Sequence, residues 1–181
     1  MALSPAQRSF FVKDQIVGPA VFNFFLSAVL SWFAFRHHVP VTWKGDPGIA
    51  RDLIGTLFLL PFLLALITNR LARHAAHRHA VSPFRFGLEV PVWVQKLPAQ
   101  RYARAALLGL LTLVVLGPVL FAAFRGLGIE QMALKHFVVF KAFLGGTLAA
   151  VIAPIAALYA LGDEAEQGRH ARAHGRIAPA E

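Results

Sequence analysis

Residues 105–124 read AALLGLLTLVVLGPVLFAAF, 20 residues without a charge, closed by Arg104 on one side and Arg125 on the other. A helix rises roughly 1.5 Å per residue and the hydrocarbon core of a bilayer is about 30 Å thick, so this stretch is long enough to cross. As a helix it satisfies its own backbone hydrogen bonds, which lipid cannot do for it. Three more stretches are bounded by charges in the same way: 15–35 between Asp14 and Arg36, 53–69 between Asp52 and Arg70, and 142–162 between Lys141 and Asp163. They hold 21, 17 and 21 residues, so each can span, the second with help from its flanks.

Composition points the same way. The 181 residues are 57% hydrophobic and 15% charged, with mean hydropathy +0.58. A soluble fold could not bury this much apolar surface. The short alternating segments of a β-barrel are absent. The chain is therefore expected to be an all-α integral membrane protein, a single domain over 1–181, with helices at about 15–36, 48–70, 102–124 and 136–161. A loop at 70–101 and a tail at 162–181 complete it. The first stretch follows Arg8 and Lys13 as a secretory signal would. It exceeds a usual h-region and lacks a small-x-small cleavage site before Arg36, so it is expected to be retained.

Four crossings divide the 18 Lys and Arg residues between two sides, 12 on the side of the termini and the 70–104 loop and 6 on the other. The positive-inside rule then places both termini in the cytoplasm, in what is expected to be a bacterial cytoplasmic (inner) membrane. The net charge of +9 reads as topology and contact with anionic lipid headgroups, with no nucleic-acid partner expected. Absence of cysteine excludes disulfides and thiolate metal sites.

Along the chain, Ser4-Pro5-Ala6-Gln7 has a capping-box pattern and predicts a short N-terminal helix lying in the interface. Between the first two spans, Asp46-Pro47-Gly48 is a turn cluster in which Asp46 is expected to cap helix two with Pro47 at its first position. Past Arg70 the residues Arg73, His74, His77 and Arg78 recur at helical spacing, predicting a basic cytoplasmic extension that binds headgroups and ends before Pro83. From Phe84 to Val94 every second residue is apolar, which predicts a short extended segment anchored by Trp93 and offers a strip for a protein partner. The tail from Asp163 is expected to be partly disordered. A faint duplication is visible, with Phe35-Arg36 echoed by Phe124-Arg125, Gly55 by Gly146 and Pro61 by Pro154; two helical hairpins repeated in parallel would fit.

Small residues mark the expected packing faces: Gly109 and Gly117 on helix three, and Gly145, Gly146, Ala149 and Ala153 on helix four. The four-residue stripe through Gly145, Ala149 and Ala153 starts at Lys141, which puts that cation on the packed face. Asp52 sits at comparable depth on helix two, and its charge suits the N-terminal end of that helix. Asp52 and Lys141 are the candidate intramembrane ion pair or substrate site. Snorkelling of Lys141 towards outer water is the competing expectation.

His37, His38 and His136 all fall near the outer face and are weak candidate ligands for haem or a metal; no cofactor is expected. Paired-carboxylate, phosphate-loop, H-E-x-x-H and G-x-S-x-G patterns are absent, so the reading leans away from an enzyme. The leading expectation is an accessory or structural subunit acting through helix packing and partner or lipid contact. An oligomeric small transporter or channel using Asp52 and Lys141 comes next, and a lipid-modifying enzyme or haem carrier last.

Overall fold

The computed structural model describes residues 16–77 and 100–173, with side chains to residue 71 in the first segment and to 160 in the second. Four helices account for nearly all of it: α1 (Gly18–Phe35), α2 (Ile49–His77), α3 (Arg101–Gly126) and α4 (Leu134–Ala173). Each is long and apolar enough to cross a membrane. Helices α2, α3 and α4 run unbroken through Pro61, Pro118 and Pro154. The expected N-terminal interfacial helix, the extended segment at 84–94 and Arg78 lie outside the described residues.

Along α1 and the middle of α3 polar and small residues are buried and many large apolar ones are exposed, the reverse of a soluble bundle. On α1 the buried side chains are Asn23, Ser27, Ser31 and Phe35, while Phe22, Phe25, Val29 and Leu30 are exposed. The same holds on α3, where Thr112 is buried and Leu110, Leu111, Val114 and Val115 face outward. Asn23 Nδ2 donates to the Pro19 carbonyl at 2.9 Å, and Thr112 Oγ1 to the Leu108 carbonyl at 2.8 Å, so each satisfies itself within its own helix. Lipid hydrocarbon does not drive Leu or Phe inward, and small residues are selected where backbones approach.

Packing runs in the order α1, α4, α2, α3, so α4 and α2 form the centre. At one end the two connections meet as a short antiparallel ribbon, β1 (Val41–Thr42) on β2 (Gln131–Met132), with Val41 opposite Met132 and Thr42 opposite Gln131. The amide of Trp43 extends it by donating to the Glu130 carbonyl at 2.8 Å. The β2 side is aimed by a helix C-cap: Gly128, at φ 64°, donates to Arg125 O, and Ile129 donates to Phe124 O. That is a Schellman motif, and only glycine adopts its left-handed residue without strain.

Two helix–strand–helix units result, and exchanging one for the other leaves the packing order unchanged. The buried positions of α2 (Ile49, Leu53, Leu57, Pro61, Leu64, Ala65, Thr68, Asn69) recur 88 residues later in α4 as Phe137, Lys141, Gly145, Ala149, Ile152, Ala153, Ala156 and Ala157. Phe35 and Phe124 enter the same cluster. The glycine and proline echoes do not survive, because at this offset Gly55 corresponds to Phe143 and Pro61 to Ala149.

Two other expectations change. Helix α2 begins at Ile49, with the Asp52 amide donating to Gly48 O at 3.1 Å, so Asp46 does not cap it. Asp46 instead meets Arg51 at 2.6 Å on the surface, and both Asp46-Pro47 and Val39-Pro40 are cis. The start of the tail is helical, since α4 continues to Ala173. Alanine, glutamate, glutamine and arginine dominate 161–173, and their helix propensity outweighs Gly162 and Gly168.

Candidate intramembrane ion-pair site

Asp52 stands in the first turn of α2 and Lys141 two turns into α4. Both helices start from the ribbon and run the same way. A helical side chain leans towards its own N-terminus, so the long lysine reaches back to the level of the carboxylate. Its Nζ lies 2.6 Å from Asp52 Oδ2 and also donates to Thr56 Oγ1, one turn below Asp52 on the same face of α2. The ammonium thereby touches two oxygens of α2, one by ion pairing and one by a hydrogen bond. The Asp52 charge also lies at the positive end of the α2 dipole.

The side chain of Lys141 is 5% exposed and that of Asp52 25%, so the lysine does not snorkel. An aromatic cap closes the bundle above it. Phe35 packs edge-on to Phe137 with centroids 4.7 Å apart, Phe124 to Phe140 at 5.3 Å, and Trp43 against both Phe121 and Phe124. Leu53, beside Asp52, is fully buried in the same cluster. On the other flank of α4, α1 comes so close that a Cβ on Gly145 would overlap Ser27, and one on Gly146 would press on the Ala20 carbonyl. Charges this well enclosed interact in low dielectric, and removing one partner of such a pair costs about 3–5 kcal/mol, although a well-packed apolar replacement of both can be neutral.

The remaining candidates fall elsewhere. Gly109 meets the Phe58 carbonyl, and Ala149 and Ala153 are fully buried in the α2–α3–α4 core. Gly117 has only ordinary contact distances to Leu113 and Leu57. Arg70 is exposed, and the α2 backbone stays helical past Arg73 and His74 to His77. His37, His38 and His136 are exposed at the ribbon end, where Arg36 Nε donates to His37 Nε2 at 3.0 Å.

A second polar group escaped the sequence reading. Arg104, taken there as a bounding cation, is 6% exposed, and its guanidinium carbon lies 4.6 Å from the centroid of the buried Tyr159 ring. Thr68 and Asn69 are buried at the same end of the bundle. The signal was available: Tyr159 continues the three- and four-residue stripe that begins at Lys141 and passes through Gly145, Ala149, Ile152 and Ala156. Comparison with known protein families, with curated proteins and with solved structures gives no match to this chain.

Proposed function

We infer that this protein is a small multi-pass accessory or structural subunit, working through its helix faces and through lipid contact rather than by turning over a substrate. One observation carries the reading. Among the described residues, the charges brought together between the central helices, Asp52 and Lys141, answer each other beneath an aromatic cluster. A substrate site needs a group that is free to bind something else. Here the charge pair instead sets the register of two parallel helices, a role well suited to buried ions.

The membrane assigned is the cytoplasmic membrane of a bacterium, with both termini on the cytoplasmic side. The support is the excess of Lys and Arg on the side of the termini and the 70–104 loop. Because the chain has no cysteine, Lys44→Cys and Ala178→Cys each introduce one thiol for impermeant labelling of intact cells. Labelling at Lys44→Cys and protection at Ala178→Cys is expected; the reverse pattern overturns the orientation.

The subunit reading is tested by purifying the full chain at native expression level in mild detergent. A stoichiometric membrane-protein partner is expected, retained by an Asp52→Asn/Lys141→Met variant in which both charges are gone. A chain that runs alone, and that carries a solute flux in liposomes abolished by Asp52→Asn, would make it a transporter. That second reading has one observation in its favour, the 25% exposure of the Asp52 side chain.

A further inference from the structure

Beside the ribbon lies a half-open cavity of about 480 Å³, and its walls are chemically mixed. Trp43 and Phe121, in edge-on contact at 5.0 Å, supply aromatic surface. Lys44 and Arg125 bring two cations and Glu130 one carboxylate to the same cavity. All three charged residues are exposed, and none makes an ion pair with a described residue. The cavity opens where α3 ends at Gly126, which is the depth of the lipid headgroups if α3 spans the bilayer.

We propose that this cavity is a binding site for a zwitterionic phospholipid headgroup that carries a phosphate and a primary ammonium, the ethanolamine class. Lys44 and Arg125 receive the phosphate, since charge-assisted hydrogen bonds to phosphate oxygens are the strong ones. Glu130 receives the ammonium. The indole of Trp43 borders the glycerol region, the place in a bilayer that tryptophan favours. Two cations alone would select an anionic lipid; the carboxylate changes the match. The assignment rests on the helices crossing a bilayer and is independent of the subunit reading, which co-purification tests separately.

The test uses the full chain carrying Trp32→Phe and Trp93→Phe, so that Trp43 is the remaining tryptophan, in vesicles of acyl-brominated phosphatidylcholine. Unbrominated phosphatidylethanolamine or phosphatidylglycerol is then added in rising mole fraction, and the recovery of Trp43 fluorescence is read. The ethanolamine lipid is expected to relieve quenching at about threefold lower mole fraction than phosphatidylglycerol, the size of one exposed ionic contact. Glu130→Gln is expected to remove or invert that preference, and Lys44→Gln with Arg125→Gln to reduce both lipids to the level of unbrominated phosphatidylcholine. Equal relief by both lipids in the parent, or a preference unchanged in Glu130→Gln, overturns the proposal. Relief by free phosphoethanolamine added to the buffer overturns the lipid source. Because the three charged side chains are exposed, helical content by circular dichroism is expected to be unchanged in every variant, which keeps the fluorescence outcomes interpretable.

Discussion

The two halves of the bundle are held together in different ways. At the ribbon end Phe35, Phe124, Phe137 and Trp43 pack together, a ribbon ties the two connections, and an ion pair joins the central helices. Towards the other end the core is Leu64, Ala65, Ala105, Leu108, Ala149, Ile152, Ala153 and Ala156, five alanines among three aliphatic side chains. Neither half can rely on the hydrophobic effect between helices inside lipid. One substitutes directional contacts, aromatic and ionic; the other substitutes dense packing of small residues. Each half should therefore fail to a different kind of mutation.

The largest expected effect is at the ribbon end. Lys141→Ala leaves Asp52 charged and enclosed, and should lower stability by about 3–5 kcal/mol, while the Asp52→Asn/Lys141→Met double variant recovers most of it. Unfolding by sodium dodecyl sulfate followed by circular dichroism gives both values; a single variant as stable as the double one breaks the directional account. Next comes Gly145→Val on the α1–α4 seam, where the new side chain overlaps Ser27 and presses on the Asn23 carbonyl. Overpacking of this kind costs about 1–3 kcal/mol, visible as a lower midpoint in the same assay.

Two alanine substitutions on α3 sharpen the comparison. At Gly109 the added Cβ would push against the Phe58 carbonyl, a backbone atom that cannot swing away, so Gly109→Ala should destabilise by about 1–3 kcal/mol. At Gly117 the neighbours are side-chain methyls at 3.6 and 4.0 Å. Gly117→Ala should be neutral or stabilise by up to about 1 kcal/mol through helix propensity. Equal effects at the two sites would mean that close backbone approach is not what α3 requires. The smallest effect belongs to Asp46→Ala, since the Asp46 and Arg51 side chains are 79% and 73% exposed and such surface pairs contribute about 0–1 kcal/mol.

Much of this was legible along the chain, for identifiable reasons. Lys141 could be placed on a packed face because Gly145, Ala149 and Ala153 follow it at four-residue intervals. Asp52 could be set at similar depth because the charge-free runs begin there. Other features were hidden. The ribbon is two residues per strand, and neither Val41-Thr42 nor Gln131-Met132 alternates long enough to register as a strand. Thr56 gave no sign of being a partner to Lys141, since nothing in either helix alone sets their relative rotation. Arg104 looked like a terminating charge because its companion, Tyr159, is 55 residues away in the sequence.

The sequence by itself determined that there are four helices long and apolar enough to cross a membrane, and which of their faces are small or polar. Transfer of a segment into hydrocarbon is a sum over its own residues, so it can be read locally. Only the tertiary structure decided that α1 lies against α4 and α3 against α2, that the two connections pair, and that Lys141 reaches both Asp52 and Thr56. Those outcomes depend on shape and charge matching between segments far apart in the sequence, as Val41 and Met132 are at 91 residues, which no single segment contains.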